Sequence, residues 1–173
     1  MGVYTRNAAA TTSGLPDYAA YSVATDILGA DKNDISKWLE KNFSGYYKVE
    51  EESVYDGYKL MKVGLSEDLA VRVTPDTKYG FNSLEIYYDM SDQVYSVSYI
   101  KRNDDTSLLK EYTDKEISVL KNEFGYPYDE VLNETETGTV ENAIWLIDKY
   151  EVRGGCFLSS SSSSQWFSIG IRR

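Results

Sequence analysis

Histidine is absent from this chain of 173 residues, and cysteine occurs once, at Cys156. Without an imidazole there is no Ser-His-Asp or Cys-His nucleophilic centre, no histidine general base and no histidine-containing zinc site. A single cysteine closes no internal disulfide and builds no thiolate cluster. Its neighbours Gly155 and Phe157 stand in a strand-like run, which makes it a buried structural thiol. Long apolar runs are missing as well: no stretch approaches the roughly 20 apolar residues that span a bilayer. No basic segment followed by an apolar core opens the chain, so no signal peptide is visible and a cytoplasmic location is expected. Positive charge is scarce, with 18 Lys and Arg against 28 Asp and Glu, a net of -10. Direct nucleic-acid binding is therefore disfavoured, because phosphate neutralisation needs a basic stripe.

Chemistry built on carboxylates remains open. Asp31-x-Asn33-x-Ile35 begins like a calcium loop, but Ile35 occupies a ligand position and the required glycine is missing. Asp89 and Asp92 flank a turn, where Asp is ordinary. No Gly-rich phosphate motif, nucleophile elbow or metal pair is present. No catalytic residue, metal ligand or cofactor site is assigned, and a carboxylate-based hydrolase stays as a minor alternative.

What the chain does contain is an ordinary apolar share of 42%, enough length for a real core, and sixteen tyrosines. Tyrosine suits strands, where its ring packs on the pleat while its hydroxyl stays wet. It also suits a binding face, because it offers contact area at low entropy cost.

In chain order, residues 1–16 are small and polar and read as an extended arm, and 17–173 as one α+β domain with candidate halves 31–102 and 113–173. Pro16 and Asp17 start a helix over 17–28. Asn33 or Asp34 caps a second, whose stripe is Ile35, Trp38, Leu39 and Phe43, and Gly45 ends it. The period then changes to two. Strands over 46–55 and 58–65 flank Asp56-Gly57, a strong hairpin signal, and 69–74, 83–90 and 94–101 follow. Five strands in succession predict an antiparallel meander. After a polar connection over 103–109, Thr113 and Glu116 form a capping box for a third helix, which Gly125 and Pro127 terminate. Over 139–150, Val140, Ala143, Ile144, Ile147 and Tyr150 match a helix capped by Thr139, while a short buried strand fits equally; the strand-like segments 150–158 and 166–171 favour strand. The serine run 159–164 reads as a solvated loop.

The segments DISKWLEKNFSGYY and EISVLKNEFGYPY match in Ile-Ser, Leu, Phe, Gly and Tyr, and strands follow each. Duplication and shared capping rules both explain this, so the fold is read as antiparallel meander sheets packed by two or three helices, with a tandem helix-plus-sheet repeat as an option.

The charge is uneven. Residues 104–151 hold thirteen acidic and four basic side chains, and no Lys or Arg lies between Lys121 and Lys149. Glu123, Asp129, Glu130, Glu134, Glu136 and Glu141 fall in that interval. They are the candidate partner-binding residues: a negative surface steers a basic protein partner, such as the nucleic-acid groove of a nuclease. A solvated, solubilising loop is the alternative.

The Thr-led helix ending in Phe124-Gly125-Tyr126-Pro127, followed by Trp145 and alternating strands, resembles the small α+β domains of the outer-membrane-assembly lipoprotein and β-lactamase inhibitory protein group, over residues 113–173. The resemblance implies a helical segment on an antiparallel sheet, sometimes in tandem, and function by binding other proteins. The chain lacks that group's lipoprotein signal and disulfides, and no functional residue is carried over. The leading expectation is a non-catalytic, acidic inhibitor of the toxin-immunity or phage anti-defence kind, including inhibitors of CRISPR nucleases. The alternative is an extracytoplasmic lipoprotein-like domain. Oligomeric state is left open.

Overall fold

Residues 19–66, 69–74, 77–159 and 165–173 are described by a computed structural model. The expected arm over 1–16, the helix start at Pro16 and Asp17, and most of the serine run lie outside the described residues.

Helix α1 (Ala19–Thr25) buries Ala20, Tyr21, Val23 and Ala24. Gly29, at φ 84°, then turns the chain through a conformation that other residues adopt at a cost. The second helix begins with a 3-10 turn (Lys32–Asp34), where Asp31, rather than Asn33 or Asp34, supplies the capping carboxylate to the Asn33 amide at 2.9 Å. Helix α2 (Ile35–Phe43) buries the expected stripe, and the Trp38 indole donates to the Val23 carbonyl at 2.8 Å, tying α2 to α1.

The described residues form ten strands, six before the third helix and four after it: β1 (Tyr47–Tyr55), β2 (Tyr58–Leu65), β3 (Ala70–Thr74), β4 (Thr77–Gly80), β5 (Ser83–Tyr88), β6 (Val94–Arg102), β7 (Asp129–Thr135), β8 (Gly138–Ile147), β9 (Tyr150–Ser159) and β10 (Trp166–Arg172). Eight form one sheet in the order β1-β2-β5-β6-β10-β9-β8-β7, and its neighbours pair antiparallel. The sheet thus consists of two meanders of four strands joined through their last members, β6 and β10. Each meander follows a helix ended by a glycine in the left-handed region, Gly45 at φ 76° and Gly125 at φ 78°. Residues 139–147 are strand, as their neighbours favoured.

Two further expectations are corrected. The five strands after Gly45 do not form a single meander: β3 pairs with an unexpected β4 in a separate two-stranded sheet, and β2 pairs directly with β5. Val71, Val73, Tyr79 and Phe81 face the core, with Tyr79 and Phe81 rings 5.1 and 6.1 Å from Phe167. Apolar alternation is the same for a strand within a sheet and one laid over it, so period alone does not choose the partner.

The third helix also starts earlier than the capping box suggests. Helix α3 runs over Thr106–Phe124 and is capped by Asp105, whose carboxylate accepts from the Leu108 amide at 3.1 Å. Thr113 and Glu116 are interior and buried; the Thr113 hydroxyl donates to the Leu109 carbonyl at 2.8 Å. Counting Leu109, Tyr112, Ile117, Leu120 and Phe124 gives one continuous face packed on β8, β9 and β10. Among the described residues no helix is long and apolar enough to cross a membrane.

Candidate protein-binding surface

The site is built outward from the end of α3. Gly125 (φ 78°, ψ -155°) takes a backbone conformation open essentially to glycine alone, and its amide donates to the Lys121 carbonyl at 2.9 Å. The buried Trp145 indole donates to the Gly125 carbonyl at 2.9 Å, pinning the turn to β8. The chain leaves that fixed point pointing outward, so Tyr126 is 93% exposed and Tyr128 76%. Leu146 on β8 is exposed beside them, and a cavity of about 490 Å³ opens between Phe124, Tyr126, Tyr128, Trp145 and Leu146; further along β7, Val131 and Leu132 are exposed as well.

Acidic side chains follow along the β7 edge. Glu123 is exposed on the last turn of α3, and Glu136 lies in the turn between β7 and β8. On β7 the register sets Glu130 opposite Ala143, Leu132 opposite Glu141 and Glu134 opposite Thr139, so Glu130, Leu132 and Glu134 share the helix-side face. Asp129, opposite Ile144, lies on the other face. Lys121 of α3 reaches Glu130 at 2.7 Å, and Lys110 reaches Glu141 at 3.0 Å. Glu141 is set back and half-buried. No ion pair joins Glu123, Asp129 or Glu134 to a basic group among the described residues. The Lys121–Glu130 pair is solvent-facing, so it contributes at most about 1 kcal/mol and leaves the edge negative.

The structure therefore strings Asp129, Glu130, Glu134 and Glu136 along the β7 edge and its turn, leaves Glu123 on the last turn of α3 before it, and turns Glu141 inward. The apolar members, Tyr126, Tyr128, Leu132 and Leu146, escaped the sequence reading. The tyrosine count was their one signal, and it does not separate exposed rings from buried ones such as Tyr21, Tyr79, Tyr88 and Tyr99.

A second concavity, of about 260 Å³, lies on the sheet face away from the helices. The sheet curls enough that Val140 and Asn142 of β8 line it together with Glu85 and Tyr87 of β5. Its charges are matched internally: Arg102 meets Glu85 at 3.2 Å, and the Arg153 guanidinium contacts Glu151. Beside it Tyr55, Tyr58, Tyr87 and Tyr95 run in a row with ring separations of 4.9, 5.9 and 6.3 Å. Glu85 is the carboxylate lining this cavity. Glu116, whose carboxyl burial raises to about 7, sits in the core. Among the described residues no three potential metal-ligating groups converge.

These features define an α+β protein in which a helix and a four-stranded antiparallel meander occur twice on one sheet, with an acidic, aromatic patch at one edge. Comparison of the chain with protein-family models, with curated proteins and with solved structures finds no match.

Proposed function

We propose that this protein is a non-catalytic inhibitor that binds another protein, its acidic surface occluding a basic site on the partner in the manner of toxin-immunity and phage anti-defence proteins. The observation that carries the reading is a pair of exposed rings, Tyr126 and Tyr128, which line one cavity with Leu146 and lead into β7, an exposed strand that carries Asp129, Glu130 and Glu134. Leaving large apolar side chains in water has no folding benefit, whereas an aromatic centre with a charged rim is the make-up of a protein interface. The rim gives speed and selectivity toward a basic partner, such as a nuclease groove, and the rings give affinity. The helix-plus-meander arrangement met twice is also what the resemblance to the inhibitory-protein group implies, and that group works by binding proteins. A reducing cytoplasm, where Cys156 stays a thiol, suits the reading.

Capture from lysate at low salt, with the retained proteins identified by mass spectrometry, tests it. A basic protein retained by the native chain and released by Glu130→Lys, Glu134→Lys, Glu136→Lys in combination supports the inhibitor. Equal retention by the native chain and the triple variant contradicts it. Tyr126→Ala and Tyr128→Ala are each expected to cost about 2 kcal/mol of binding, with thermal stability unchanged because neither ring is packed.

A further inference from the structure

The eight-stranded sheet ends in β1 on one side and β7 on the other, and the two edges are finished differently. On β1 the ladder with β2 shifts register between Val49 and Glu51, leaving Glu50 as an extra residue. Ion pairs Lys32–Glu52 (2.7 Å) and Lys62–Glu51 (3.2 Å) hold charged side chains along it. A bulge and fixed charges are the devices that stop an edge from accepting another strand.

The β7 edge has no bulge. Its seven residues pair with β8 in unbroken register from Asp129–Ile144 to Thr135–Gly138, and every one of them is exposed. The hairpin closes through the two-residue turn 136–137, which makes Thr135–Gly138 a hydrogen-bonded pair. Alternation along an antiparallel ladder then turns the peptide groups of Glu130, Leu132 and Glu134 away from β8, toward the side where the sheet has no further strand among the described residues.

Charge selects what fits there. A second copy pairing antiparallel about Leu132 would set each Glu130 directly against the other copy's Glu134, a like-charge contact on both sides of the centre. A strand with basic, apolar and basic residues at alternate positions instead meets Glu134, Leu132 and Glu130 with opposite charges outside and an apolar contact between. Lys121 already holds Glu130, so an incoming cation shares that carboxylate, while Glu134 is joined to no basic group among the described residues. The exposed Tyr126 and Tyr128 lie just before β7 and extend the same edge with aromatic area.

We propose that β7 is a docking strand: an extended segment of the partner protein, carrying Lys or Arg on either side of an apolar residue at alternate positions, adds to this edge as a ninth, antiparallel strand. This rests on the protein-binding function proposed above and specifies its mode, backbone pairing rather than charge contact alone.

The probe is the blocked peptide Thr-Lys-Thr-Val-Thr-Lys-Thr, titrated into the full chain and followed by amide NMR. Peptides of the same sequence with N-methylated amides and blocked pentalysine serve as comparisons. Binding is expected to perturb the Glu130, Leu132 and Glu134 amides and slow their solvent exchange. Removing the peptide's edge donors by N-methylation is expected to weaken it about tenfold, and Leu132→Pro to weaken it clearly more than Leu132→Ala, which loses the apolar contact but keeps the backbone donor. The N-methyl comparison uses the native chain and so does not depend on the proline variant folding normally. If pentalysine or the methylated peptides bind as well as the native-backbone peptide, or Leu132→Pro binds like Leu132→Ala, strand addition is overturned and the acidic surface stands alone. If Glu130→Lys with Glu134→Lys alters binding of neither peptide nor captured partner, the function reading fails as well. A dimer that forms through β7 and is lost in Leu132→Pro overturns the proposed occupant in favour of a second copy.

Discussion

Glu116 has the least ordinary surroundings of any carboxylate in the core. It sits on the buried face of α3 opposite Gly154, whose missing side chain leaves the room it needs: a Cβ there would lie 3.3 Å from Glu116 Cγ. The Tyr21 hydroxyl donates to one carboxyl oxygen at 2.9 Å. Burial raises its pKa from 4.5 to about 7, the Tyr21 and Tyr79 hydroxyls opposing the shift only in part. The same burial, with Glu116 beside it, pushes the Tyr79 hydroxyl far above its ordinary value. The folded state therefore keeps the Glu116 proton where the unfolded chain releases it. Stability falls as pH rises from 4.5 to about 7 and is flat above, with respect to this group. The loss is on the order of 3 kcal/mol. Glu116→Gln, which mimics the protonated acid, is expected to gain on the native protein between about pH 4.5 and pH 8 by roughly that amount in urea unfolding. An unchanged gap between the two proteins at both pH values would refute the buried, proton-holding Glu116.

At the scale of elements, α3 decides both the core and the site. Its start rests on Asp105, so Asp105→Ala is expected to cost about 1 kcal/mol and to speed hydrogen exchange at the Leu108 amide; no change in either would return the cap to Thr113. Gly125→Ala forces a side chain into a backbone region that costs about 1–3 kcal/mol. It is expected to lower stability and also to weaken partner binding, because Tyr126 and Tyr128 depart from that turn. Both glycine stops, the Asp56-Gly57 hairpin and the strand alternation were legible in the sequence because they are local chemistry. The helix start was not: T-x-x-E satisfies the capping pattern, yet Leu109 and Tyr112 on its N-terminal side continue the apolar face, and tertiary packing outweighed the motif. The β3–β4 layer was hidden for a related reason, since alternation reports that one face is buried and not against what. The acidic half of the candidate site could be read from the gap between Lys121 and Lys149. Its apolar half could not, because the Gly125 stop is legible but the Trp145 hydrogen bond that fixes the direction in which the chain leaves it, and so exposes Tyr126, has no sequence signature.

At the scale of the whole molecule, a net charge of -10, most of it contributed by residues 104–151, creates a field that outlasts any single ion pair. The ion pairs from α3 to Glu130 and Glu141 draw off part of it, and the remaining β7 carboxylates, Asp129 and Glu134, are exposed on the strand that follows the exposed rings. Such a surface accelerates encounter with a basic partner, and salt screens the acceleration over about 8 Å at physiological ionic strength. The contact rings and the open strand edge then set how long the complex lasts, an effect that salt changes little. Electrostatics and apolar contact are thus separable by kinetics. The most direct test is the association rate with the captured basic protein, measured from low to physiological salt for the native chain and for the variant with Glu130, Glu134 and Glu136 all changed to Lys. A native rate that falls about tenfold or more with added salt, beside a slow and nearly salt-independent rate for the variant, is the predicted result; the same steep dependence in both proteins would contradict an acidic β7 edge as the binding surface.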